Sequence, residues 1–470
     1  MRQAQAPIGS GTQWGGRASW GRINRRHFIV VGVLAALIGV VAAIQGTANV
    51  TSAFGQNGSD QLAFFFPAAQ RILDGHPFTI YAVRAFGDYP NYNPPLATIM
   101  MTPLLAIGQI VLPGAGTCVD TGYNSENCRS LLGFVGLGFV PFVLLLGAAA
   151  LGALRWLHAT MSQGQALVAY GLIVLSPLTW QNFTNWWHFE QPLMLFLFVF
   201  GVAQLQRNQV GLAGVLLGLA LLTRTTAAVP LIALLVVLAA ERAWPVLLKL
   251  SATIAIVVAV GFGPFFIFDY KDTAYSLLQW RGSAPIGNSI WSIFINTPLD
   301  GIARHLDLPV AIVAASVVAY LAVQRFGFSA RGRELWAVLS IASLMVPMLS
   351  KTNWPYYYAE PLIFLVIWEF ATLHDAPMGL WRWPILSVAY LSVTATLSQF
   401  MGSPSATGGG LVLRLMGLLQ FVVMAAFAYA IWKRQAEMAQ PANGNPNATI
   451  PPYADTRGLP VVPSGQSQRR

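Results

Sequence analysis

The chain has 470 residues, of which 55% are hydrophobic and only 9% charged. A water-soluble domain carries about 25% charged residues, so this chain cannot cover a water-facing surface; with a mean hydropathy of +0.57 it reads as an all-α polytopic membrane protein. The net charge of +10, which on a soluble chain would point to nucleic acid, reads here as cytoplasmic loop charge, and a chain with only two cysteines, Cys118 and Cys128, excludes a four-cysteine metal site or a framework of several disulfides.

The N-terminal segment 1–27 is basic (Arg17, Arg22, Arg25, Arg26) and precedes an apolar run at 28–48. No Ala-x-Ala-like cleavage site follows that run, so it reads as an uncleaved first span. Within 60–74 the apolar residues Leu62, Phe65, Phe66, Ala69, Ile72 and Leu73 recur at helical spacing, with Asp60, Gln61, Gln70, Arg71 and Asp74 opposite. That spacing predicts an amphipathic helix lying in the interface plane, with Ser59 as its cap and Asp60 at its start.

Twelve further apolar segments follow, at 94–112, 131–153, 164–180, 191–206, 209–222, 227–241, 250–268, 308–324, 335–349, 357–371, 385–401 and 411–432. A span needs about 20 residues, so several short ones read as broken or tilted. Segment 94–112 contains Pro94, Pro95 and Pro103 and reads as a poor continuous span that dips into the outer face.

With that segment not crossing, the cytoplasmic loops hold Arg155, Arg207, Arg242, Lys249, Arg325, Arg331, Arg333, Arg382, Lys433 and Arg434. The outside holds fewer basic residues: Arg224, Lys271, Arg281, Arg304, Lys351 and Arg414. This bias predicts twelve crossings with both termini cytoplasmic. It makes 49–130 a large first outside loop, 28–434 the transmembrane domain and 435–470 a disordered cytoplasmic tail. Cys118 and Cys128 then lie outside, where a disulfide can form.

Asp60 is the sharpest candidate for chemistry. A carboxylate at a helix start either favours the helix dipole or serves as a general base at the membrane surface. The stretch Ser59-Asp60-Gln61 … Pro67 … Gly75-His76-Pro77 … Tyr81 … Tyr89-Pro90-Asn91-Tyr92-Asn93-Pro94-Pro95 … Pro103 resembles glycosyltransferase family 87, of the GT-C superfamily of integral membrane glycosyltransferases. Downstream, Glu190-Gln191-Pro192 is similar to that family's Gly-Gln-x-Asn position. Ala213-Gly214 … Gly218 … Thr223-Arg224 resembles its Ala-Gly … Gly-Leu-Ala … Lys stretch. Gly287-Asn288-Ser289 resembles its Asn-x-Ser element, and Ser350 … Asn353-Trp354-Pro355-Tyr356-Tyr357 its Ser-Trp-x-His-Tyr element. Three positions depart from the pattern: the Gly and Asn at 190–193 are absent, Arg224 replaces Lys, and no His stands in the Trp354 segment.

The resemblance implies a GT-C-like fold. It also implies transfer of a sugar, mannose or arabinofuranose-like, from a polyprenyl-phosphate donor to an acceptor hydroxyl outside the plasma membrane, with inversion. The acceptor is a glycolipid or polysaccharide. Asp60 is the implied base, and Arg224 the first choice for the leaving phosphate, since Arg suits bidentate phosphate contact. The alternative for Arg224 is a snorkelling charge or an internal ion pair.

Lys351 lies at the same face, as a phosphate contact or an interfacial anchor. His188 and Glu190 share a turn with Trp186 and Trp187. That turn reads as an aromatic belt or as a sugar-stacking wall with a carboxylate for hydroxyls. Gln191, Arg281, Tyr92, Trp354 and Tyr357 complete the candidate substrate residues, and Glu360 is a candidate partner for Lys351. No Asp-x-Asp occurs in the first loop, so no metal and no other cofactor is expected. No P-loop, HExxH or GxSxG occurs either.

Two other classes stay open. A secondary transporter or lipid flippase would use the short pair 209–222 and 227–241 as a broken hairpin. A ligase or polymerase acting on lipid-linked oligosaccharide would share the cavity logic.

Overall fold

The computed structural model describes residues 25–53, 60–85, 89–120, 128–157, 159, 161–184, 187–279, 286–287, 289–295, 297–374, 383–400 and 410–439. Ser59 as a cap, Arg281, Trp186, Arg382, segment 1–20 and the tail from 440 lie outside the described residues. All thirteen apolar segments are helical. In chain order the helices are α1 (Arg25–Ala53), α2 (Phe66–Leu73), α3 (Pro95–Val111), α4 (Ala115–Asp120), α5 (Arg129–Trp156), α6 (Gln163–Val174), α7 (Pro177–Thr184), α8 (Glu190–Gln206) and α9 (Val210–Thr223). They continue as α10 (Ala228–Ala240), α11 (Trp244–Phe268), α12 (Tyr270–Ala274), α13 (Asp300–Phe326), α14 (Leu335–Leu349), α15 (Ala359–Thr372), α16 (Ile385–Phe400) and α17 (Leu411–Ala439). Among the described residues six stretches are long and apolar enough to cross a membrane: Arg25–Gln45, Arg129–Trp156, Gln163–Thr184, Trp244–Phe268, His305–Phe326 and Arg414–Ala439. Their outward sides carry Ile, Leu, Val and Phe, among them Ile29, Ile256 and Val422, as helices bathed in lipid require.

Several local expectations change. Segment 164–180 is two helices. The chain breaks at Leu175–Ser176 because Pro177 cannot continue a helix. The carbonyls freed by the break are taken up: Thr179 Oγ1 donates to Ile173 O at 3.2 Å, and Trp180 Nε1 to Val174 O at 2.9 Å. Segment 94–112 is a continuous helix despite Pro103. Pro95 sits at its first position, where no N–H is needed. α17 runs to Ala439, past the expected start of the tail. Arg434 is no loop charge, because it lies within α17 and is fully buried.

Helix ends collect in two groups. At one end His27 meets Gln163, Gln206 donates to Gly332 O, Arg331 to Asn208, and Glu241 accepts from Ala330 N. At the other end stand Asp60, the starts of α8 and α15, and the Arg224 turn between α9 and α10. Arg414 there donates to Ile295 O. The longer helices alternate between the ends, the short α2, α4 and α12 apart. α3 does not: it begins beside Tyr92 at the Asp60 end, and a Cβ added to its Gly108 would meet Leu131 and Phe134 in the first turns of α5. α3 therefore finishes level with the start of α5.

Glycines let helices approach closely where α9 crosses α11. A Cβ on Gly214 would meet Thr253 and one on Gly218 would meet Val257, while Gly261 of α11 lies against Leu222. Small residues four apart are the usual means of close packing in lipid.

The loops at the Asp60 end are tied down. A short antiparallel pair, β1 (Arg84–Ala85) with β2 (Tyr89–Pro90), closes the first loop. Arg84 Nη2 reaches Asp272 at 2.7 Å and its guanidinium lies over the Tyr275 ring, so the first loop docks on α12 and the turn after it. A parallel pair joins β3 (Ile286–Gly287) to β4 (Thr352–Asn353), and Ser289 Oγ donates to Ser350 O at 2.7 Å. Two motif stretches far apart in sequence thus form one unit. Cys118 and Cys128 are joined by a disulfide.

Candidate active site

Asp60 stands at the start of a π-helical turn, Gln61–Phe65, that continues into α2. The expected single amphipathic helix is therefore two pieces. The wider first turn carries Gln61 inward, where it is fully buried with Leu62, Ala63, Phe64 and Phe65. A buried amide needs a partner, and Gln61 Nε2 finds Glu190 Oε2 at 3.1 Å.

The α8 start supplies the next groups. Trp187 has φ 48, a left-handed conformation that costs a bulky residue about 1–2 kcal/mol. Its side chain is buried, which removes it from any aromatic belt at the membrane surface. The turn it makes sets His188 and Glu190 against Asp60. His188 Nδ1 lies 2.7 Å from Glu190 Oε1, and its Nε2 lies 3.7 Å from Asp60 Oδ2. The Glu190 side chain is 2% exposed and that of Asp60 30% exposed, so Asp60 is the carboxylate open to a substrate.

Arg224 follows the last turn of α9. Its Nη1 meets the same Glu190 oxygen at 2.5 Å. The guanidinium lies over Tyr356 at 4.7 Å and beside Tyr357 at 5.7 Å, a stacking that Arg makes and Lys does not. Its Nε is buried and has no hydrogen-bond partner among the described residues. Arg224 is thus an internal ion pair on one edge, with a buried and unpartnered Nε on the other. The His188 ring packs on Tyr356 at 4.0 Å between centroids.

Behind this layer, Gln191 Nε2 donates to Tyr356 O at 2.7 Å. Glu360 accepts from Thr226 Oγ1 at 2.6 Å and from Gln191 at 3.4 Å. Glu360 is therefore held by the core of the site, not by Lys351 as the sequence suggested. In front, Tyr92 packs on Phe64 and Tyr89. Burial raises its hydroxyl well above the ordinary range, with Asp60 and Tyr357 adding to the rise.

Burial also raises the Asp60 carboxyl. His188 and Arg224 oppose the rise, and Glu190 adds to it. A carboxylate held near positive groups yet partly desolvated is a stronger base than one in water.

The structure brings Asp60, His188, Glu190, Gln191, Arg224, Tyr92 and Tyr357 together. Lys351 and Trp354 lie in the stretch leading into the turn that carries Tyr356 and Tyr357; the Lys351 backbone N–H donates to Asp307 at 3.2 Å. Three members went unassigned in the sequence: Gln61, Tyr356 and Thr226. A second buried charge pair was also missed, Glu369 with Arg434 at 2.5 Å and the far end of the bundle. Glu369 lies inside an apolar segment, and a lone acid there is a signal in itself. Among the described residues no three His, Cys, Asp or Glu side chains are grouped to hold a metal ion.

No protein-family model matches the chain, and no curated protein matches it.

Proposed function

We propose that the protein is a membrane glycosyltransferase of the GT-C kind, moving a sugar from a polyprenyl-phosphate donor to an acceptor hydroxyl with inversion. The observation that carries this reading is the meeting of Asp60, a partly exposed carboxylate, with Arg224, a buried guanidinium whose Nε has no hydrogen-bond partner among the described residues, at one end of a helical bundle. Glycosyl transfer with inversion needs those two functions: a base for the incoming hydroxyl and a cation for the departing phosphate oxygen.

Asp60 removes the hydroxyl proton as the oxygen attacks the anomeric carbon. The carbon–oxygen bond to phosphate breaks on the opposite side, and Arg224 holds the phosphate that leaves. Tyr92, packed on Phe64 and Tyr89, and Tyr357, beside Arg224, are the aromatic rings on which a sugar face would stack. The cluster offers one guanidinium among the carboxylates of Asp60, Glu190 and Glu360. That balance suits a single phosphate better than a diphosphate, which favours a lipid monophosphate donor over a lipid-linked oligosaccharide.

Alternation of helix ends, with α3 returning to its own side, supports twelve crossings. Arg224 and Arg434, one from each side of the basic-residue bias, are both buried in ion pairs; omitting them leaves the bias unaltered. It supports a topology with both termini in the cytoplasm and the site outside the plasma membrane.

The test uses the purified protein in nanodiscs, radiolabelled polyprenyl-phosphate sugars and a lipid extract as acceptor. Wild type is compared with Asp60→Asn, which keeps the shape and removes the base. Transfer by wild type and a fall of about 10²–10⁴ in the variant, with both eluting as folded protein, is expected. Equal transfer by both moves the base elsewhere. Saturable lipid or solute binding without transfer favours a transporter.

A further inference from the structure

The site holds more proton-handling groups than one base requires. Glu190 Oε1 is shared by two donors, Arg224 Nη1 at 2.5 Å and His188 Nδ1 at 2.7 Å. Its other oxygen accepts from Gln61. A buried carboxylate so bound accepts hydrogen bonds and does not give them, so the His188 proton sits on Nδ1. The approach of Arg224 Nη1 to His188 Nδ1, at 3.0 Å, then follows from both facing one oxygen rather than from a bond between them. Nε2, left unprotonated, lies 3.7 Å from Asp60 Oδ2.

We propose that Glu190 fixes His188 in the tautomer whose Nε2 faces Asp60, so that His188 accepts the proton Asp60 takes from the acceptor hydroxyl. This rests on the glycosyltransferase reading and adds a positioning pair to it. The proton passes from hydroxyl oxygen to Asp60 and on to Nε2, while Nδ1–H remains on Glu190. The new glycosidic bond forms as the bond to phosphate breaks, and the leaving phosphate carries the charge that the hydroxyl lost. The shared Glu190 oxygen links the two halves. As the phosphate draws on Arg224, more of the Glu190 charge is left to support the imidazolium.

The charged and titratable groups around Asp60 come from four elements: His188 and Glu190 at the start of α8, Arg224 after α9, Tyr92 of the first loop, and Tyr356 and Tyr357 of the turn before α15. His188 lowers the Asp60 carboxyl from the level burial sets. That lowering acts once Nε2 has taken its proton, so without the ring Asp60 holds its own proton up to a higher pH.

The experiment has two arms, on wild type, His188→Asn and His188→Ala in nanodiscs. In the first, the pH profile of kcat/KM is measured with polyprenyl-phosphate sugar. The expected result is a fall in kcat of about 10–10² for His188→Asn, an acid limb displaced to higher pH, and partial rescue of His188→Ala by added imidazole. An unmoved acid limb with only a raised KM overturns the proposal and leaves transfer itself in place. In the second arm a hydrophobic carbodiimide, which modifies protonated carboxyls, labels Asp60, and labelling is read by peptide mass against pH. In His188→Asn, labelling should persist to higher pH than in wild type. Identical labelling curves overturn the proposal whether or not any donor is turned over. Absence of transfer by wild type with a shifted labelling curve removes the glycosyltransferase reading alone.

Discussion

Gln61 and Glu190 are 129 residues apart and are joined by one buried hydrogen bond of 3.1 Å. It ties the first loop to the transmembrane bundle at the place where Asp60 must be held. Replacing Gln61 by Leu removes the donor and leaves Glu190 Oε2 buried without it. Such a change costs about 1–3 kcal/mol. We expect a lowered melting temperature in detergent, and a loss of sugar transfer larger than the stability loss accounts for, because Asp60 is the neighbouring residue. Unchanged transfer in Gln61→Leu at a temperature where it is fully folded would separate the tie from the chemistry.

The pH dependence has a definite sign. Asp60 acts as a base only when ionised. Burial raises its carboxyl above the ordinary 3.8, so the ionised form is lost as pH falls through that raised value. Activity should therefore decline on the acid side at a pH above the ordinary carboxylate range, with the protein still folded. A profile of kcat/KM against pH, with intrinsic fluorescence as the folding control, checks it. An acid limb below pH 4 would mean that burial does not govern Asp60.

The candidate site was legible in part because its charged members are rare in so apolar a chain. Asp60, Glu190 and Arg224 stand at the edges of apolar runs, where an ionisable residue costs several kcal/mol unless it is paired. Their mutual contacts were not legible. Arg224 reads from the sequence as a phosphate contact or as an internal pair; the structure shows the pair with Glu190 and leaves Nε buried and unpartnered. Gln61 was placed on the solvent side because helical spacing assumes 3.6 residues per turn; the π-helical turn widens that and brings Gln61 inside. Trp187 was read as belt or stacking wall because sequence shows the residue type and not the left-handed backbone that buries it. The segment pattern of the fold was legible throughout, since each apolar run became helix. Breaks such as Leu175–Ser176 depend on which carbonyls find side-chain donors, and spacing does not reveal that.

Arg224 also makes a distinction between cations. Lys keeps the charge but lacks the planar fork that meets a phosphate bidentately, and it loses the planar stacking on Tyr356 and Tyr357. In Arg224→Lys we expect the KM for the donor to rise about tenfold or more, with a smaller change for the acceptor. Arg224→Met should be worse for stability than for binding, since it leaves Glu190 buried with a lost partner, at about 3–5 kcal/mol. Equal donor KM values in wild type and Arg224→Lys would remove Arg224 from phosphate recognition.

Cys118 and Cys128 close a loop with a separation of 10 residues, which in the chain-entropy account stabilises by about 2–3 kcal/mol. Alkylation of unreduced membranes should leave both unmodified, and reductant should expose both and lower the melting temperature. Two free thiols in unreduced membranes would argue that this loop faces the cytoplasm.

At the far end of the bundle, Glu369 and Arg434 are each 0% exposed and 2.5 Å apart. Glu369 Oε1 also accepts from Leu386 N, and Oε2 accepts from Ser387 N and Oγ. It therefore caps the start of α16 with a carboxylate, the charge that a helix N-terminus favours. Arg434 covers Trp368, whose indole N–H donates to Gln435. The pair thus joins α15, α16 and α17 through one oxygen. Losing the acid strips α16 of its cap and leaves a buried guanidinium, so Glu369→Leu should destabilise by about 3–5 kcal/mol. Losing the base leaves the cap in place, so Arg434→Met should cost less. The double variant should recover part of the Glu369→Leu loss, because no buried charge remains, but not the share that belongs to the cap. Melting of the four proteins in one detergent measures this cycle. Full recovery in the double variant would show that the ion pair, and not the capping of α16, is what Glu369 contributes. Transfer activity, located at the other end, should follow the folded fraction alone.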